Sequence, residues 1–167
     1  MTEFTIAKDY FPGAIGRVAE LHGDYYHRQW GFGRFFEAKV ATELAAFFNR
    51  YDDARDGFWA VTKKGRLEGA IVIDGHDAAG KGAHLRWFIV SDGLRGQGGG
   101  RRLIETAMDF CRRKRYPMVY LWTFEGLAAA RHLYEELGFA LVEQRPGDQW
   151  GVTVSEQRFE WTPEKND

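Results

Sequence analysis

Arg95-Gly96-Gln97-Gly98-Gly99-Gly100 sets four glycines in six positions. A backbone so free of Cβ atoms can approach a ligand closely and turn its N–H groups toward it. Before it, His84-Leu85-Arg86-Trp87-Phe88-Ile89-Val90 alternates and is rich in aromatic and β-branched residues, which predicts a strand. After it, Leu103, Ile104, Ala107, Phe110 and Cys111 recur on one helical face. A helix beginning at this turn adds unpaired N–H groups and the positive end of its dipole, a combination suited to phosphate. Two common phosphate motifs fail on spacing. A G-x-G-x-x-G fingerprint begun at Gly96 needs glycine where Arg101 stands, and a P-loop begun at Gly93 meets Gly99 and Gly100 where Lys and Ser or Thr belong. For the loop alone, a plain flexible turn and a different kind of nucleotide site both stay open.

The spacing that does fit is Arg95-x-x-Gly98-x-Gly100, which resembles the acyl-CoA pyrophosphate loop of the GNAT N-acetyltransferases. A second stretch, Ala130-Arg131-His132-Leu133-Tyr134-Glu135-Glu136-Leu137-Gly138-Phe139, resembles that family's A-x-x-L-Y-x-x-x-G-F signature and follows the loop in the family's order and at its distance. The order of elements is similar across nearly the whole chain. The likeness is particularly to acetyltransferase domains fused behind MarR-type regulators, although no winged-helix stretch is read in these residues.

The resemblance implies acetyl-CoA as cofactor and transfer of its acetyl group to a primary amine, on a small molecule or a protein, by direct attack in a ternary complex. It gives Tyr134 the role of proton donor to the departing thiolate. A phenol can act as a positioned acid, but Leu133, Tyr134 and Leu137 also read as one packing face, where a buried tyrosine is ordinary. It further implies that main-chain groups of Phe88, Ile89 and Val90 meet the thioester carbonyl, and that Arg95, Gly96, Gln97, Gly98, Gly99, Gly100 and Arg101 hold the pyrophosphate. Arg101 reads equally well as a solvated first-turn residue. No metal ligand is proposed.

Two positions depart from the family pattern. Leu127 stands where many relatives carry a cofactor-contacting asparagine. The strand Ala83–Val90 contains no acid, only His84 and Arg86, although an alkylamine with a pKa near ~10.4 must lose a proton before it attacks. His84, Glu20, His22, Glu37 and Glu125 are candidates for that task. For the acceptor, Tyr26, Trp30 and Phe32, with His27 and Phe35, make an aromatic wall or a cover packed on the sheet. The same fold can also serve as a non-catalytic acyl-CoA sensor.

These residues need a scaffold, and composition allows one. The chain has 167 residues, 44% hydrophobic and 16% aromatic, with a net charge of −1. That suits one domain with a full core and excludes general disorder and a strongly basic nucleic-acid face. The single cysteine, Cys111, reads as buried filler. With no membrane-length apolar run and no signal-peptide layout, a cytoplasmic protein is expected. A homodimer is compatible with the resemblance, and no residue pattern demands it.

The expected fold class is α/β (α+β): a mixed central sheet of six to seven strands with helices on both faces. An acetyltransferase domain is expected over residues 1–162, and a disordered tail over 163–167. The pattern predicts strands at Phe4–Ala7, Phe58–Thr62, Leu67–Ile73, Ala83–Val90, Met118–Thr123 (buried on both faces), Phe139–Gln144 and Val152–Phe159. Helices are predicted from Pro12, over Phe35–Arg50, after the glycine turn and over Leu127–Leu137, with Tyr25–Gly33 as a loop and a turn at Pro146-Gly147-Asp148.

Overall fold

The computed structural model describes residues 4–164; three residues of the expected tail, 165–167, lie outside them. Among the described residues seven strands form one sheet: β1 (Thr5–Lys8), β2 (Gly57–Lys63), β3 (Arg66–Asp74), β4 (Ala83–Val90), β5 (Val119–Phe124), β6 (Ala140–Gly147) and β7 (Val154–Trp161). Their spatial order is β1-β2-β3-β4-β5-β7-β6. Every neighbouring pair is antiparallel except β4 and β5, which run parallel. The helices are α1 (Ala14–Trp30), α2 (Arg34–Asn49), α3 (Gly99–Arg113) and α4 (Ala128–Glu136). Among the described residues no helix is long and apolar enough to cross a membrane.

Strand alternation sends side chains to two separate cores. Phe58, Ala60, Ala70 and Val72 pack under α1 and α2 against Val18, Leu44 and Phe47. Trp59, Val61, Ile71 and Ile73 turn to the other face and meet Leu103, Ile104 and Ala107 of α3. The helices therefore cover both faces, as the sequence predicts. Cys111 is fully buried in the second core, and burial pushes its thiol up to about 12, which makes it a packing residue.

Three local expectations are corrected. Tyr25 to Trp30 is helix, not loop, because α1 runs on to Gly31. There Gly31 adopts φ +72, and its N–H and that of Phe32 bond back to the His27 and Tyr26 carbonyls at 3.0 and 3.2 Å, a glycine stop that closes the helix. Pro146 and Gly147 belong to β6, so the turn to β7 begins at Asp148. β5 is not buried on both faces: Tyr120 and Trp122 are half-buried, leaving one face of the strand partly open.

The decisive feature lies between β4 and β5. Their parallel ladder comprises only Ala83 opposite Val119 and His84 opposite Tyr120, although β4 continues to Val90 and β5 to Phe124. β5 instead pairs along its whole length with β7. In β4, a bulge sets Trp87 and Phe88 against the single residue Ile71, and Trp87 takes φ +48. Extra residues of this kind bend a strand and sharpen its twist. The two parallel strands consequently splay apart beyond His84.

Candidate active site

A cleft of about 890 Å³ fills the splay. One wall is β4 from His84 to Val90, the other is β5 from Leu121 to Phe124, and the start of α4 closes one end. Ser91 donates its N–H to the Glu68 carbonyl on β3 at 2.7 Å. Because strand groups alternate in direction, Val90 turns its N–H away from β3, into the opening. Ile89 is the register partner of Ala70, so its main chain serves the sheet, and its side chain is buried. Phe88 lines the cleft with its ring 6.2 Å from that of Tyr134.

The glycine turn stands at the same end. A short 3-10 turn, Asp92–Leu94, leads into it, and Gly96 and Gly98 take φ +77 and +86, where an L side chain is strained. An added Cβ at either residue meets nothing within 4 Å, so both face open space. Gly98 caps α3, and its carbonyl accepts the Arg102 N–H at 3.1 Å. The N–H groups of the first helical turn, Gly99 to Arg101, precede any intrahelical acceptor. Gly96, Gly98, Gly100, Arg95 and Arg101 line the cleft. Gly99 and Gln97 lie behind them: a Cβ on Gly99 would strike Leu94 at 2.9 Å, and the Gln97 amide donates to the Gly93 carbonyl at 3.0 Å. These open amides, with two guanidinium groups beside them, fit a diphosphate.

Those two arginines differ in their present partners. The Arg95 guanidinium lies 4.2 Å from the Tyr25 ring centroid, donates to the Val90 carbonyl at 3.2 Å and pairs with Asp92 at 3.2 Å. Arg101 pairs with Glu136 of α4 at 2.7 Å, tying the two helices that flank the cleft.

Tyr134 projects from α4 onto the cleft wall, its ring packed between Phe139 and Phe159 at 5.9 and 6.0 Å. Burial, and secondarily the nearby Tyr26 phenol, raise its pKa above the ordinary tyrosine value. No group among the described residues hydrogen-bonds its hydroxyl. It is thus a protonated phenol facing a cavity, and its packing and chemical readings coexist. Leu127 also lines this end, at the N-cap of α4.

The candidate bases fall into two groups. Glu20, Glu37 and Glu125 are exposed and lie outside the cleft lining. His22 and His84 line the cleft, but both are held neutral. Burial pulls His22 down to about 4 while its Nδ1 stands 2.8 Å from the Val18 carbonyl oxygen. Burial and then the charge of Arg86 pull His84 down to about 3, and its ring stacks 4.4 Å from Tyr120. Their lowered basicity disfavours either imidazole as the group that takes the amine's proton.

Neutral burial of these two histidines has a consequence for stability. Both depressed values lie below the unfolded value of 6.5, so their contribution is complete above pH 6.5. It declines as pH falls toward 4 and 3, because only the unfolded chain then takes up the protons. The expected loss is on the order of 2 kcal/mol per histidine by about pH 5. Urea unfolding at about pH 7.5 and about pH 5 checks this, with His84→Phe expected to remove a large part of the fall. An identical fall in that variant would remove His84 as a cause.

Of the aromatic wall, only Tyr26 reaches the cleft. Phe32 is buried behind it, against the inner sides of Phe36 and Phe124, and Trp30 packs on Phe124 at 4.9 Å and over Gly126. His27 donates its Nδ1–H to the Phe32 carbonyl over 2.8 Å, which fixes the helix end, and Phe35 is exposed. Sequence reasoning missed Lys39, Glu43 and Arg86, which the fold brings together at the end away from the glycine turn. Arg86, the one arginine on a central strand that otherwise holds apolar residues and His84, was the available signal.

A model of the acetyltransferase (GNAT) family matches residues 16–139. No curated protein matches the sequence. Among solved structures, the chain is similar to a protein from Pyrococcus horikoshii at 21% identity and TM-score 0.72, covering 97% of this chain and 99% of that one. It is similar to an acetyltransferase of the GNAT family from Staphylococcus aureus at 16% identity and TM-score 0.74, over 96% and 99%. It is also similar to yncA, a candidate acetyltransferase from Salmonella typhimurium solved with its cofactor acetyl-CoA, at 16% identity and TM-score 0.75, over 98% and 95%. At such identities the likeness is one of fold.

Proposed function

Because the chain belongs to the acetyltransferase (GNAT) family, we propose that it is an acetyl-CoA-dependent N-acetyltransferase acting on a primary amine by direct transfer. Residues 1–162 form the acetyltransferase domain in this reading. The observation that carries it is the splay of β4 from β5 beside the glycine turn, with Tyr134 on its wall.

Acetyl-CoA supplies an activated acetyl thioester, whose carbonyl carbon gains the amine nitrogen and loses the sulfur. The amides of Gly96, Gly98, Gly100 and Arg101 bind the diphosphate, with Arg95 and Arg101 supplying positive charge. Val90 presents its N–H to the carbonyl oxygen, where negative charge develops. Tyr134 gives its O–H proton to the departing sulfur, and the proton shed by the amine restores the phenol through solvent. Holding both reactants in one narrow cleft supplies several kcal/mol of the barrier reduction by proximity.

The finer resemblance, to the domain that follows MarR-type regulators, bears only on the acceptor. In this reading Tyr26, which lines the cleft, contacts the acceptor. A cytoplasmic setting and a homodimer fit the same reading.

A thermal-shift series is the direct test. CoA and acetyl-CoA are expected to raise the unfolding midpoint at concentrations well above Kd, by mass action, and ATP and NAD are expected not to. Stabilisation by ATP or NAD instead would assign the glycine turn to another nucleotide. Thiol release over an amine panel then separates an enzyme from a non-catalytic acyl-CoA sensor, which binds without turnover.

A further inference from the structure

The end of the cleft beyond Tyr26 carries a charge arrangement that acetyl transfer does not itself require. Arg86 lines it from β4, its side chain 20% exposed. Its guanidinium lies 4.1 Å from the Trp87 ring centroid. The nearest carboxylates are Glu43 at 3.4 Å and Asp74 at 3.6 Å, both longer than an N–H···O bond. Five N–H donors are therefore set in the wall of a cleft with only loose ion pairing. Asp74 is already held by Arg50 through two hydrogen bonds of 2.9 and 2.6 Å, and Glu43 accepts from Lys39 at 3.1 Å. Among the described lining residues at this end, Lys39 and Arg86 face one acid, Glu43. The balance is positive, and the planar fork of Arg86 matches the two oxygens of a carboxylate or phosphinate.

We infer that the acceptor is a small amine that also bears an anionic group, and that Arg86 is the residue that reads this group. The inference rests on the acetyltransferase reading and narrows it. Trp122, Trp150, Phe36 and Val40 also line the cleft, so it has room for an apolar body on the acceptor. A free amino acid with a large apolar side chain has all three parts: a nucleophilic nitrogen, a carboxylate beside it and a hydrophobic group. A lysine side chain in a protein has no anion next to its amine, and a plain alkylamine would leave the donors of Arg86 unmatched, which is unfavourable when they are shielded from water.

The test uses acceptors that differ only in the carboxylate: L-tryptophan with tryptamine, L-phenylalanine with phenethylamine, and L-leucine with isoamylamine. With the full-length protein and acetyl-CoA, kcat/KM is expected to favour the amino acid by about tenfold or more in at least one pair. Arg86→Gln is expected to bring that ratio within about threefold, chiefly through KM, while the CoA-induced midpoint shift persists. A binding readout needs no turnover: N-acetyl-L-tryptophan is expected to stabilise the CoA complex more than N-acetyltryptamine does. Equal or reversed preference in every pair, release with none of the six acceptors, or an unchanged ratio in a folded Arg86→Gln variant overturns the inference and leaves the cofactor site standing. Loss of the CoA shift in the unaltered protein overturns the acetyltransferase reading itself, and this inference with it.

Discussion

Gly98→Glu is expected to weaken coenzyme A binding by about a hundredfold or more while the fold survives. Two effects act together. Gly98 takes φ +86, a conformation that costs an L residue about 1–2 kcal/mol, but its Cβ would point into open space, so no core contact is lost. The new carboxylate then lies beside the proposed diphosphate. Two like charges about 5 Å apart repel by about 3 kcal/mol at an effective dielectric near ~20, and a diphosphate carries more than one charge. The favourable contact of an acid with a helix N-terminus offsets only about 0.3–1 kcal/mol of this. Gly98→Ala separates the terms, since it keeps the strain and omits the charge. Calorimetric titration with CoA, after circular dichroism has verified folding, reads the result; unchanged affinity in Gly98→Glu would remove the diphosphate from this turn.

Tyr134→Phe is expected to lower kcat by about 10²–10⁴, the range for loss of a positioned acid, with CoA affinity within about twofold of the original. The ring keeps its contacts with Phe88, Phe139 and Phe159, so the substitution removes an oxygen that no described residue hydrogen-bonds and leaves the packing alone. Because burial raises the Tyr134 phenol above its ordinary value, its proton stays in place through the neutral and mildly alkaline range. The unaltered enzyme should therefore show no alkaline fall in kcat below about pH 10 from this residue. Equal kcat in the two proteins at saturating concentrations of both substrates would exclude Tyr134 as the acid.

Much of the fold was legible because its signals are local. The glycine turn, the amphipathic face of α3 and the stop at Gly138, which takes φ +98, each follow from a few neighbouring residues. The run Tyr25–Trp30 was misread for the opposite reason. Aromatic residues have modest helix propensity, and the contacts that hold Tyr26 in a helix come from Phe32, Phe36 and Phe124, the last of these on a strand far along the chain. The charge cluster was hidden in the same way, since Lys39 and Glu43 sit on α2 and Arg86 on β4. No spacing rule joins positions that only the folded sheet brings together. The splay is less legible still, because it depends on a bulge opposite Ile71 and on the preference of β5 for β7.

Only Ala83–Val119 and His84–Tyr120 stitch β4 to β5, so the seven strands divide mechanically into a leaf of four and a leaf of three, bound along a two-residue spine. Few hydrogen bonds cross that spine, but one hydrophobic interior does: Ile71, Ile73 and Leu85 of the first leaf pack in the same core as Val119, Leu121 and Phe159 of the second. The angle between the leaves, and with it the width of the far opening, is therefore held by side-chain packing more than by the ladder. Substitutions in that shared core bear on both the stability of the protein and the shape of its aperture.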